Sequence, residues 1–262
     1  MFEAIDHLVV VVKELDEAVK AYGALGFTVV RGGRHNIGTH NALIAFADGS
    51  YIELIAFLAP VTGHPWYQAL EQGGGLVDFC VRSDDLAADV EALRRAGVAI
   101  SDPVAMSRER PDGYLLKWTL SIPNPPFNGA VPFLIRDETP RDERVPRERT
   151  HPNGARGIER LTVAVRDAKR AASRYAGTVP GKGKPVERGA LDAAGIRLTM
   201  GPHEIELVSP RSPAGPLALS LGPREAAPYE AVLTGTGQGA VALDRELAQG
   251  ARLRISANPD SR

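Results

Sequence analysis

The chain is short of the features that mark secreted, fibrous or polymer-binding proteins. It has one cysteine in 262 residues, Cys80, set in an apolar run, so no internal disulfide can form and a cytoplasmic location is the expectation. Its net charge is only −1 at neutral pH, so it lacks the field that draws a protein onto nucleic acid or anionic lipid, and neither partner is expected. The apolar run Leu8–Val12 falls far short of the ~18 residues that span a bilayer and has no basic segment before it, which argues against a signal peptide or membrane anchor. Glycine (27) and proline (20) sit between apolar runs as turn punctuation, with no collagen-like or linker-like period. What is present, 44% hydrophobic and 24% charged residues, is an ordinary globular composition, and a small-molecule partner becomes the default.

Self-similarity organises the rest. A strand pattern at Ile5–Val12 leads into an amphipathic helix at Leu15–Leu25 ended by Gly26, and strand-like runs follow near Phe27–Val30, Asn41–Ala47 and Tyr51–Phe57. A second copy starts at Leu76–Val81 and continues through a helix at Leu86–Ala96 ended by Gly97. It offers strands near Val98–Ala105, Tyr114–Ile122 and Val131–Ile135. The shift that lays Gly26 on Gly97 also lays Leu15 on Leu86. A third, fainter copy runs from Ile158–Val165 through a helix around Ala168–Ala176 to Ile196–Met200 and Glu204–Val208. Residues 138–157 are rich in Pro and Arg and read as a solvated linker in which Arg141, Arg144, Arg147 and Arg149 alternate with Asp142, Glu143 and Glu148. Residues 211–262 read as an extension of unassigned role, with a short helix at Leu243–Gln249 and a strand at Ala251–Ile255. The predicted class is α+β: two βαβββ units in residues 1–137 forming one domain around a cleft, and a degenerate third unit over 158–210.

Alternate residues of each strand line the concave side of such a sheet. On the first strand Ile5, His7, Val9 and Val11 share one face, while Leu8, Val10 and Val12 suit packing beneath the helix. On the fourth, Glu53 stands in a row with Tyr51, Ile55 and Phe57. A carboxylate in an apolar row requires a partner: a metal, a cation or its own proton. The repeat puts Asp78 at the place of His7, with Leu76 and Cys80 on its face, and puts Phe133, which cannot coordinate anything, at the place of Glu53.

These features together resemble the vicinal oxygen chelate superfamily and, within it, the glyoxalase-like branch. The residues that carry the resemblance are Ile5-Asp6-His7-Leu8-Val9-Val10, the stretch Arg31–Asn41 with Gly32-Gly33-Arg34-His35 and Gly38-Thr39-His40-Asn41, and the strand Tyr51-Ile52-Glu53-Leu54-Ile55. To these are added the Arg110-Pro111-Asp112-Gly113 turn before Trp118 and Val131-Pro132-Phe133. The resemblance covers residues 4–136 well and 158–210 weakly. It implies paired βαβββ modules around a cleft and a divalent metal held from the first and fourth strands of each module. Those places here are His7, Glu53, Asp78 and Phe133, so Phe133 departs from the pattern.

Each candidate has a plainer reading beside the functional one. His7 reads as a metal ligand or as a metal-free acid–base group, Glu53 as a functional acid or the partner of a loop arginine, and Asp78 as a ligand or a local cap. A set of His7, Glu53 and Asp78 is one imidazole and two carboxylates, suited to Zn, Mn, Fe, Ni or Mg, and no other cofactor is expected. It is not the two-histidine, one-carboxylate set of oxygenases, so extradiol-type chemistry is the less expected. A turn on Gly32-Gly33 would gather Arg34, His35, Thr39 and Asn41 for anion or carbonyl binding, or Thr39 and Asn41 would satisfy their own hairpin. Arg110 and Trp118 read as ligand contacts or as turn and core residues, and His64 and His151, beside prolines, as surface residues. In the third unit Arg160 replaces His7 opposite Glu206, an internal ion pair whose open face is a candidate homodimer surface. Two functions follow. One is a metal-dependent lyase or isomerase acting on vicinal oxygens, with Glu53 or His40 moving the proton. The other is a metal-free protein that sequesters a small ligand against Tyr51 and Phe133.

Overall fold

In the computed structural model, which describes residues 1–257, the first unit comprises β1 (Phe2–Val11), α1 (Leu15–Ala24), β2 (Val30–His35), β3 (Thr39–Ala45) and β4 (Tyr51–Phe57). A short helix, α2 (Pro65–Glu71), precedes the second unit: β5 (Gly75–Ser83), α3 (Leu86–Arg95), β6 (Val104–Glu109), β7 (Leu115–Ser121) and β8 (Phe133–Asp137). Both long helices end as expected: Gly26 takes φ +83° and Gly97 φ +81°, a left-handed backbone that glycine adopts without strain. The eight strands close into a barrel in the order β1-β4-β3-β2-β6-β7-β8-β5. Closure leaves no free edge and turns the alternating faces into an inside and an outside.

Register relates the two units. His7 pairs with Cys80 and Val9 with Asp78 across β1 and β5, while Val9 lies beside Glu53 and Cys80 beside Phe133. His7 therefore corresponds to Asp78, and Glu53 to Phe133. The β1–β5 ladder slips at three places; between Val9 and Val10 the extra residue is on β5, so Leu76, expected on the inner face, packs against the outer core and Val77 against the inner cluster. Between Ile5 and His7 the ladder slips, two residues of β1 facing one of β5, so Ile5 packs outward with Leu8 and the extra residue is Asp6.

The remaining chain forms α4 (Arg141–Arg144), β9 (Ala155–Val165), α5 (Ala168–Ser173), β10 (Lys184–Arg188), β11 (Ala193–Met200), β12 (His203–Pro210), α6 (Pro216–Leu221), β13 (Ala226–Gly235), β14 (Val241–Ala242) and β15 (Leu253–Ile255). Its sheet has the order β10-β11-β12-β9-β13-β15-β14. β9 pairs in parallel with β12 and antiparallel with β13, as β1 does with β4 and β5. β13 pairs in parallel with β15, as β5 does with β8. The class is α+β. The segment 211–262, read from sequence as an extension of unassigned role, supplies β13, β15 and the edge strand β14 of this sheet in the manner of a cut-down fourth unit; its residues 258–262 lie outside the described chain. The helix expected at Leu243–Gln249 is replaced by turns, and the final strand is confined to Leu253–Ile255.

The linker expectation fails for a physical reason. Residues 138–157 cross the barrel end, where Val145 joins Leu43, Ala45 and Tyr51 in a buried cluster and Arg144 is buried. His151, expected on the surface, is buried too: its Nδ1 accepts from the Thr28 amide at 3.1 Å and its Nε2 donates to the Ala45 carbonyl at 3.0 Å. The segment's own polar groups find partners on the barrel, so it is ordered by them.

One continuous core joins the halves, running from Leu8, Tyr22 and Phe79 to Leu161, Ile205 and Leu233. Tyr22 donates to the Ala248 carbonyl at 3.0 Å and Tyr175 to the Ala130 carbonyl at 2.9 Å, each bridging the two sheets' territories. No helix among the described residues is long and apolar enough to cross a membrane. The shared core predicts a single urea-unfolding transition. Tyr22→Phe, which strands a buried carbonyl, is expected to lower stability by about 1 kcal/mol, and Tyr22→Ala by about 3–5 kcal/mol. Two separated transitions would contradict the shared core.

Candidate functional site

The slip in β1 places two neighbouring polar side chains together at the barrel wall. The Asp6 carboxylate accepts from His7 Nδ1 at 2.8 Å and from Arg144 Nη1 at 3.0 Å and Nη2 at 3.1 Å, and it also pairs with Arg141. Arg144 in turn holds Asp137 and donates to the Tyr51 hydroxyl at 2.6 Å. Burial alone would raise the Asp6 pKa, but the two guanidiniums and the His7 bond outweigh it and hold the carboxyl well below the usual range. An ionised Asp6 can only accept, so the His7 Nδ1 carries the proton and its Nε2 is turned inward. Tyr51 stacks on the imidazole with ring centroids 4.6 Å apart, and Phe133 meets it edge-on at 5.4 Å.

Glu53 stands opposite. Its Oε2 lies 3.5 Å from His7 Nε2, and its Oε1 accepts from the Asn41 amide at 2.5 Å and lies 3.6 Å from His35 Nε2. Burial pushes the Glu53 pKa up; the imidazoles of His7 and His35, the Asn41 bond and the Arg108 guanidinium more than reverse this, so it falls below the ordinary carboxylate value. His35 is pushed down to about 4, chiefly by burial, and is neutral at physiological pH. Its Nδ1 meets the Thr39 hydroxyl at 2.8 Å, while its Nε2 is 3.4 Å from the Asn41 nitrogen. The site is thus an ionised buried carboxylate between two imidazoles, each anchored through its outer nitrogen.

These groups open onto a cavity of about 50 Å³, room for a few water-sized groups, whose walls include Tyr51, Ile55, Trp66, Met106, Trp118 and Phe133. Trp118 meets His35 edge-on at 5.9 Å. Of the residues predicted from sequence, His7, His35, Glu53, Tyr51, Trp118 and Phe133 line this space, and Thr39 and Asn41 hold its members. Gly32-Gly33 is not a turn: both lie in β2, and that strand's alternation directs His35 inward while leaving Arg34 exposed. Arg34 and His40 line a separate surface groove with Glu109 and Arg110, so neither reaches Glu53. Arg110 is spent on Asp112 and Glu143 and stacks on Tyr114.

Asp78 is also held away. Its carboxylate accepts from the Trp66 indole at 3.0 Å and the Phe79 amide at 2.9 Å, and burial pushes its pKa up to about 7. Trp66 reaches it from α2, an insertion whose role was not legible in the sequence. The sequence reading also passed over Asp6, Arg144 and Arg108. For Arg108 a signal existed: Met106 and Arg108 alternate on β6, and both point inward.

The sequence matches the glyoxalase-like domain family over residues 5–179. The chain belongs to this family. A hypothetical protein from Staphylococcus aureus shares the fold along 97% of this chain and 98% of its own, with a TM-score of 0.69 and 17% identity. A variant of 4-hydroxymandelate synthase from Streptomyces coelicolor matches 89% of this chain and 71% of its own, at TM-score 0.63 and 16% identity. A xylose isomerase-like TIM barrel/4-hydroxyphenylpyruvate dioxygenase fusion protein matches 89% of this chain and 36% of its own, at TM-score 0.51 and 16% identity. No curated protein matches the chain. These relations place the glyoxalase-like chain in the vicinal oxygen chelate superfamily, whose members bind small-molecule substrates and often a metal ion.

Asp6, His7 and Cys80 have ligand atoms within 4.8 Å of one another. Two guanidiniums already compensate Asp6, and burial pushes the Cys80 thiol well up, so a dication there would meet like charge and a protonated sulfur. His7 Nε2 and Glu53 Oε2 are spaced as two ligands of one ion are, but the set does not close around it. Asp78 is tied to Trp66, Phe133 offers no donor, and the Asn41 amide nitrogen lies against both Glu53 Oε1 and His35 Nε2. His35 supplies a second imidazole that the sequence reading had not counted, so His7, His35 and Glu53 form a two-imidazole, one-carboxylate set after all; what stands against an ion is the Asn41 amide, which already lies on two of those donors, Glu53 Oε1 and His35 Nε2.

Asp6→Asn removes the counter-charge of two guanidiniums and is expected to cost about 3–5 kcal/mol of folding stability by urea denaturation, at a pH where Asp6 is ionised. Asp78 acts in the opposite sense. Its native pKa lies above that of the unfolded chain, so between about pH 4 and 7 the unfolded state releases a proton that the native state keeps, and stability falls as pH rises. Asp78→Asn is therefore expected to gain on the wild type by about 2–4 kcal/mol across that window and to hold the gain above it. A pH-independent difference would show that Asp78 is ionised in the native state.

Proposed function

We propose that the barrel of this glyoxalase-like protein binds a small molecule carrying vicinal oxygens and moves a proton on it, with Glu53 as the base. The observation that supports this reading is Glu53 itself, a carboxylate kept ionised inside an apolar cavity by donors that leave an open face toward the cavity. A desolvated carboxylate of this kind can take a C–H proton next to a carbonyl. His7 is the partner acid–base group. Its Nδ1 is oriented by Asp6, so a proton taken by Glu53 Oε2 can pass to Nε2 across the 3.5 Å between them and return to the neighbouring carbon or oxygen of the same ligand. His35, neutral and fixed by Thr39, keeps the second carboxylate oxygen and Asn41 in place. Tyr51, Trp66 and Trp118 exclude water from the reacting face. The reaction class is isomerase or lyase, with no step assigned to a metal.

A second reading, capture of a ligand without turnover, is favoured by the aromatic lining and by Phe133 at the place matching Glu53. The two separate in one experiment. Protein purified without chelator is analysed for metals and then incubated in D2O with small carbonyl compounds bearing vicinal oxygens, and C–H exchange is followed by NMR. Proton transfer predicts exchange by metal-free protein and its fall by roughly 10²–10⁴-fold in Glu53→Gln. Binding without exchange favours capture. Exchange that requires a stoichiometric metal overturns the metal-free assignment.

A further inference from the structure

Two arginines line the cavity, Arg108 and Arg144, each about 3% exposed. Arg144 is compensated by Asp6 and Asp137. Arg108 is not. Its Nη2 donates to the Arg144 backbone carbonyl at 2.9 Å, its Nε is buried with no acceptor, and among the described residues no carboxylate oxygen lies within the 4.0 Å of an ion pair. A buried guanidinium left this way is costly to the fold, and nothing in the packing of β6 requires a charge at that position. The fold also makes room for it. A Cβ on Gly32 would stand 3.1 Å from Arg108 Nη1 and 2.0 Å from Asn41 Oδ1, so glycine is needed there for space.

We propose that Arg108 is the anion-binding group of this cavity and that the ligand it takes is a small organic carboxylate. The inference rests on the reading of the barrel as a small-molecule site and names the class of molecule. A planar guanidinium short of acceptors matches the paired oxygens of a carboxylate better than a point charge would. The walls beside it, Met106, Trp118, Leu120 and Ile135, are apolar and suit the carbon end of such a molecule. The free volume of about 50 Å³ favours a ligand of few heavy atoms. Bound there, the carboxylate would lie in the same cavity as Glu53, with the adjoining carbon available to it.

The test uses acetate, pyruvate and lactate as probes, with acetamide and inorganic phosphate as controls, titrated at fixed ionic strength by calorimetry and thermal shift. The wild type is expected to bind at least one carboxylate saturably and acetamide not at all. Arg108→Met should weaken that carboxylate at least tenfold, and Arg108→Lys should recover part of the loss. Without ligand, Arg108→Met should be as stable as the wild type or more so, because it removes a buried charge with no carboxylate in contact; a structural arginine would instead show a clear loss. Equal carboxylate binding by Arg108→Met, no carboxylate binding by the wild type, or phosphate binding as tight as carboxylate would overturn the assignment. Glu53→Gln separates this from the base reading. Arg108-dependent binding retained in Glu53→Gln, with no proton exchange by the wild type, sinks only the base.

Discussion

The site turns on the cost of keeping Glu53 ionised in a largely apolar cavity, at 7% exposure. An isolated carboxylate in hydrocarbon would take up a proton, and this one escapes that outcome because four groups face it: His7, His35, Asn41 and, at longer range, Arg108. Each is held by something else. Asp6 orients His7, Thr39 orients His35, and Arg144 with Arg141 keeps Asp6 charged. The chain of dependence therefore runs from one carboxylate to a helix, α4, in a segment that looked like a linker.

The same dependence explains the asymmetry between the two barrel units. They are related by register, yet only the first carries the His7–Glu53 pair. In the second, Asp78 has turned to the Trp66 indole and Phe133 fills the place of Glu53. The other sheet resolves the equivalent position in a third way. Glu206, fully buried, is held by Arg188 and Arg197, with Arg160 at 3.7 Å. The pair expected from sequence, Arg160 with Glu206, is present in this sheet but is the looser part of a three-arginine cage. One backbone position has accordingly been given a carboxylate with imidazoles, an apolar ring, or a carboxylate with guanidiniums.

A slip in the β1 ladder was not legible in the sequence, because a bulge changes which neighbours share a face without changing the alternating pattern of residue types. Simple alternation put Ile5 inside and left Asp6 unnoticed. The stretch Arg31–Asn41 was misjudged for a related reason. Gly32 and Gly33 looked like turn residues, but they serve close approach within a strand, beside Asn41 and Arg108 in one case and the Glu109 carbonyl in the other. The donors of that stretch were therefore split by strand parity, His35, Thr39 and Asn41 going to the site and Arg34 and His40 to the outer surface.

Local chemistry in the sequence was enough to determine the class and the frame: the helix-ending glycines, the alternating strands, the repeat that aligns His7 with Asp78 and Glu53 with Phe133, and the oddness of an acid in an apolar row. These are short-range properties, written in neighbouring residues. Which charges meet was decided only by the closed barrel and the segment laid across its end. Asp6 and Arg144 are far apart in the chain, as are Glu53 and Arg108, and the sign and partner of a buried charge depend on distances that no local pattern contains.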